Sequence, residues 1–155
     1  MRLRLIIFVL VIKSNILYSQ NILEDSINFY IKKLDWNSFT FTPTYARSLV
    51  LSSEAQKLVY LEKKDAVNKL FPQIIDSQKT VIIHIILSKI FEPQNAYLST
   101  SYIYKEKIIS NLAYCYNNLN WQIDEHGIYI INADEIKKIK TYWEERISFL
   151  TDRKL

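Results

Sequence analysis

Residues 80–91 read Thr80-Val-Ile-Ile-His84-Ile-Ile-Leu-Ser-Lys-Ile-Phe91. The run is apolar almost all round, and a helix with no polar face belongs inside a core. Its β-branched content would suit a buried strand equally well. A length of twelve residues and helical patterns on its N-terminal side favour a helix as the central buried element.

Moving toward the N-terminus, Asp76 to Lys79 forms a turn. Before it, Val67, Leu70, Phe71, Ile74 and Ile75 make an apolar stripe that opens at Asp65, a capping residue. Pro72 falls inside that stripe, where its missing N–H should kink the helix or delay its start. Ser53-Glu54-Ala55-Gln56 fits a capping box for a preceding helix with Ala55, Leu58 and Val59 on its apolar face. That helix should stop near Lys63-Lys64, whose charge suits a helix C-terminus. Asp35 to Thr44, closed by Pro43, reads as a loop. Leu23, Ile27, Tyr30, Ile31 and Leu34 predict a first helix over Ile22 to Leu34.

Moving the other way, the pattern changes after Pro93. Tyr102-Ile103-Tyr104 and Leu112 to Tyr116 read as short strands, with a helix over Lys107 to Tyr116 as the alternative, since Ile108, Leu112 and Cys115 also fit helical spacing. Trp121-Gln122-Ile123 and Ile128-Tyr129-Ile130 alternate about Asp124-Glu125-His126-Gly127, a hairpin with the chain's lone glycine where a positive φ is needed. Asn132, followed three residues later by Glu135, caps a last helix. Its stripe is Ile136, Ile139, Trp143, Ile147 and Leu150, and residues 151–155 should form a frayed tail.

At the N-terminus, Arg2 and Arg4 precede the apolar run Leu5 to Ile12, and a polar stretch from Ser14 to Gln20 comes next. This three-part layout predicts a secretory signal peptide over residues 1–20 and a single helix-dominated domain over 21–150. The run is far shorter than the roughly 20 residues that span a bilayer, and Lys13 ends it. No stable membrane span is therefore expected once the leader is removed. Export to the periplasm or exterior of a bacterium is the expected location.

Composition narrows the function classes. Of 155 residues, 49% are hydrophobic and 14% aromatic, ample for a core. One glycine rules out a Gly-rich nucleotide loop. Removing Arg2, Arg4 and Lys13 leaves 17 basic against 16 acidic side chains, a net of +1, which offers nucleic acid no electrostatic footprint. Cys115 is the only cysteine, so no intrachain disulfide forms.

The stretch Ser53 to Phe91, with its short helix, polar Lys63-Lys64-Asp65 turn, second apolar stripe and third element, resembles a HEAT-like helical repeat. It is also similar in layout to exported bacterial proteins with a short HEAT-like core. Pro72 stands a turn later than the proline such repeats often carry, and only one to one and a half repeats fit the chain. Together with the strand, hairpin and helix patterns that follow it, the resemblance leads to an expected α+β, mostly α fold. A short HEAT-like helical core would be followed by a small β-hairpin or sheet element and a C-terminal amphipathic helix. For function it implies binding through a surface, and it carries over no catalytic residue.

The chemistry-bearing residues point the same way. His84 sits in an apolar run, which suits a neutral imidazole bonded to a backbone carbonyl; its nearest acids in sequence, Asp76 and Glu92, are about two helical turns away. Asp124, Glu125 and His126 are consecutive in a turn and rarely converge on one ion. Lys137, Lys138, Glu144, Glu145 and Arg146 form a solvated helix face. No catalytic, cofactor or metal residue is assigned. The expected interaction surface is aromatic: Tyr97, Tyr102, Tyr104, Tyr114, Tyr116 and Trp121. The expected function is an exported, non-enzymatic binding protein with a protein partner. The alternatives are an inhibitor or immunity-type protein, or a hydrolase whose carboxylates meet only on folding.

Overall fold

The computed structural model describes residues 20, 22–41, 49–61, 63–94, 98–106 and 108–152. The expected leader lies outside these residues except for Gln20. Helix α1 covers residues 22–32 and buries Ile27 and Ile31, with Leu34 buried just beyond. Residues 35–41 of the stretch expected to be a loop hold structure instead; residues 42–44 of it lie outside the described residues. Asp35 caps a 3-10 turn, Trp36–Ser38, by accepting from the Asn37 amide and from the Ser38 hydroxyl. Strand β1, Phe39–Phe41, then pairs antiparallel with β2, Leu49–Leu51.

Helix α2 is Ser53–Tyr60. Its cap is Ser52, one residue before the expected one, whose hydroxyl accepts from the Ala55 amide. Gln56 bonds the Leu51 carbonyl rather than completing a capping box. Helix α3, Lys63–Leu70, gives way at Pro72 to a 3-10 turn, Phe71–Ile75, because proline has no N–H to continue the α-helical ladder. Asp65 lies in the first turn of α3, not ahead of it. Lys69 pairs with Glu24, tying α3 to α1.

Helix α4, Thr80–Phe91, is the hub. Every residue from Thr80 to Ser88 is buried. Its start is fixed by the Thr80 hydroxyl, which donates to the Ile74 and Asp76 carbonyls at 2.7 and 2.9 Å. It touches α2, α3, both 3-10 turns and the sheet.

The second half of the chain is a four-stranded antiparallel meander. Its strands are β3, Leu98–Lys105; β4, Ile108–Tyr116; β5, Leu119–Asp124; and β6, Tyr129–Ile130. Tyr116 pairs with Leu119 across the two-residue turn Asn117-Asn118, at φ 43° and 70°. Positive φ at both positions is the type I′ requirement, and asparagine tolerates it. The second hairpin turns at Gly127, φ 79°, as expected. Asp124 holds that turn by accepting from the His126 and Ile128 amides. Between β3 and β4 the register slips: Ile103 faces Asn111 while Tyr104 faces Ile109. Ser110 is the extra residue of this bulge, and its hydroxyl donates to the Ile103 carbonyl.

Helix α5, Ala133–Asp152, is capped by the Asn132 side chain, which accepts from the Asp134 amide. It buries Ile139 and Trp143. No helix among the described residues is long and apolar enough to cross a membrane.

This architecture is α+β, but it corrects the expected HEAT-like core. A strand pair leads directly into α2, α3 breaks after eight residues, and Ile75, expected on the stripe, is exposed. α4 is buried on all sides as a central post, not paired along one stripe with a neighbour in a stack. Nor is the sheet a small appendage. Its strands of eight, nine, six and two residues supply Tyr114, Tyr116, Leu119 and Trp121 to the one core. The alternative helix over Lys107 to Tyr116 is excluded by the ladder of β4 with β3 and β5.

Candidate binding face of the sheet

Alternation along the strands sorts the meander into two faces. Leu112, Tyr114 and Tyr116 of β4 point the same way as Leu119, Trp121 and Ile123 of β5, into the core. There Tyr114 stacks on Trp121 with centroids 5.4 Å apart and on Phe41 at 4.8 Å, while Trp36 stacks on Tyr129 at 4.3 Å. Aromatic rings thus fill the inner face, each pair adding to the area it buries.

The outer face has the opposite chemistry. Ser99 and Ser101 of β3, Ala113 and Cys115 of β4, and Asn120 and Gln122 of β5 line a trough of about 710 Å³. All are small or carry amides. Asn111 donates across the sheet to Gln122 at 2.7 Å. One rim is built from the start of α5 by Asn132 and Glu135. Glu135 accepts from the Asn120 backbone amide at 2.9 Å, from the Asn120 side chain at 3.1 Å and from Lys138 at 3.0 Å. Partial burial raises its pKa, but these donors, the Asn120 amide first, outweigh burial and hold the carboxyl below its usual range. The rim acid is therefore an anion already engaged, serving as a positional clamp between α5 and β5.

Past the bulge, the β3–β4 hairpin runs beyond the core. Tyr102, just before the bulge, and Tyr104, just after it, are 52% and 61% exposed; Ile109 opposite Tyr104 is exposed too, as is Ile108 on the other face opposite Lys105. The expected aromatic surface therefore divides. Tyr102 and Tyr104 come together on the hairpin; Tyr114, Tyr116 and Trp121, at 7%, 2% and 2% exposure, belong to the core and cannot offer their rings to a partner. Tyr97 lies outside the described residues. Ile108 and Ile109 carry no signal of their own in the sequence. They lie on opposite faces, and both are exposed because this end of the hairpin leaves the core.

His84 is fully buried. Its Nε2–H donates to the Tyr116 carbonyl at 2.8 Å, and its Nδ1 accepts from the Trp143 indole N–H at 2.9 Å. Burial pushes its pKa down to about 4. Glu92, the acid nearest in sequence on the C-terminal side, is committed elsewhere: it accepts from Tyr142 at 2.9 Å and pairs with Arg146 at 2.6 Å. Arg146 also lies over the Tyr142 ring at 4.4 Å. This three-residue lock between α4 and α5 has no sequence signal, because Glu92 and Tyr142 are 50 residues apart. His126 is exposed beside Glu125, and among the described residues no group of three metal-ligating side chains converges. No protein-family model matches the chain, and no curated protein or solved structure is significantly similar to it.

Proposed function

We propose that the protein is an exported, non-enzymatic binding module whose protein partner contacts the exposed end of the β3–β4 hairpin. The observation that carries this reading is the exposure of Tyr102, Tyr104 and Ile109 on one face of the β3–β4 hairpin, toward the end that leaves the core. Apolar and aromatic side chains grouped on the surface mark contact sites, and tyrosine adds area with little loss of conformational freedom. The leader-like pattern of residues 1–20 supports a partner outside the cytoplasm. An inhibitor that offers the hairpin to a partner's cleft is the second reading, favoured by the exposure of Tyr102, Tyr104 and Ile109 on one face of that hairpin.

The test is affinity capture from a periplasmic extract with wild type, with the Tyr102→Ala/Tyr104→Ala double variant, and with Tyr60→Ala as a control at an exposed tyrosine remote from the hairpin. A protein retained by wild type and the control, and lost with the double variant, is the expected result. Equal retention by all three, or by none, sinks the assignment. Mass spectrometry of the protein recovered from each compartment checks export: a cytosolic form retaining residues 1–20 contradicts it.

A further inference from the structure

The bonds of His84 join three parts of the fold that are distant in sequence. The imidazole stands on α4, its Nε2 partner is the carbonyl that ends β4, and its Nδ1 partner is an indole on α5. A carbonyl can only accept and an indole N–H can only donate, so one neutral tautomer alone satisfies both. Protonating Nδ1 would turn the acceptor of Trp143 into a donor, setting N–H against N–H in a site closed to water. We infer that His84 is an acid-sensitive latch whose protonation releases Trp143 and loosens α5 from α4 and the sheet.

No neighbouring acid offsets this. The ionisable groups whose hydrogen bonds, ring contacts or charge bear on this junction are Glu92 at the end of α4, Tyr116 on β4, and Glu135, Lys138, Tyr142 and Arg146 on α5; Lys89 on α4 is only partly buried, and on α5 Lys140 pairs with Glu144 while Asp134, Lys137 and Glu145 are exposed. Glu92 is taken by Tyr142 and Arg146, and Glu135 by Asn120 and Lys138. Lys138 disfavours a second positive charge nearby. The Tyr142 ring meets the imidazole edge-on at 6.4 Å between centroids, and Tyr116 does so at 5.8 Å. On the remaining sides α2 and the two 3-10 turns bury Ala55, Leu58, Ile74 and Ser38, none of them titratable.

The direction comes from linkage. In the unfolded chain the imidazole takes up a proton near its ordinary 6.5, whereas in the folded protein it does so only at about 4. Between those values the unfolded state binds more protons, so stability is complete at pH 7 and drains as the pH falls through 6.5 toward 4. From pH 7 to pH 5 the folding equilibrium should drop roughly 20-fold through this one group.

The experiment is urea denaturation of wild type and His84→Gln from pH 7 to pH 5. Glutamine keeps one donor and one acceptor but does not titrate. Wild type should lose roughly the 20-fold above, while His84→Gln should stay nearly flat. Equal losses in both overturn the latch. Imidazole and indole NMR of the wild type over the same range stands independently of whether the variant folds. The expected spectrum shows His84 neutral with a bare Nδ1 and the Trp143 indole proton held throughout the folded state. An imidazole that titrates near 6.5 while the protein remains folded overturns the inference.

Discussion

At the scale of single residues, the polar bonds of His84 inside the apolar core have only one solution. Trp143 is fully buried, and its indole N–H finds the one ring nitrogen able to accept it. Trp143→Phe keeps most of the ring but leaves His84 Nδ1 buried without its donor. It should cost about 1–3 kcal/mol in urea denaturation at pH 7, the usual penalty for orphaning a buried polar atom. A cost within error of zero would show that the bond contributes nothing. The histidine itself is legible in the sequence, because an imidazole in an unbroken apolar run has to be neutral and bonded to something close. Its partners are not, since they lie 32 and 59 residues away along the chain. The same holds for Glu92 with Tyr142 and Arg146: single-sequence periodicity reports which face a residue occupies, not what it meets there.

At the scale of elements, turns and caps decide where each segment begins. Asn118 sits at φ 70° between β4 and β5, a conformation that costs most side chains about 1–2 kcal/mol. Asn118→Val should therefore lower stability by about that amount while Asn118→Gly should not, with denaturation midpoints as the measure. If the two behave alike, the turn is not under conformational control. The Gly127 hairpin announces itself through the lone glycine flanked by alternating residues. The Asn117-Asn118 hairpin does not, because the run on its N-terminal side also fits a helix. Without that turn β4 and β5 have no reason to be neighbours, and the sheet shrinks to one hairpin. Pro72 is visible in the sequence as an interruption. Only the structure shows that the chain continues past α3 as a 3-10 turn, which exposes Ile75 and ends any repeat-like stripe.

At the scale of the whole molecule, the layers are the hardest thing to see in the sequence. A central helix buried on every side and an antiparallel sheet buried on one side give similar apolar counts. Which of them closes the core depends on contacts between the two halves of the chain. The sheet's long first strand has a hazard of its own. An edge strand offers main-chain donors and acceptors to any extended chain that comes alongside, and β3, with Lys105 and the neighbouring Glu106 confined to its far end, lacks the charges that usually repel such a visitor. The dislocation at Ser110 is expected to protect it, since it leaves only Leu98 to Ile103 in continuous register with β4, roughly 20 Å of backbone. Deleting Ser110 should restore a regular ladder, with Ile109 still opposite Tyr104 and Ile108 still opposite Lys105, and lengthen the straight edge. Sedimentation should then find wild type monomeric and the deletion growing in size with concentration; a monomeric deletion would show that the edge is guarded by something else. One surplus serine would thus be what keeps neighbouring copies from zipping into fibres.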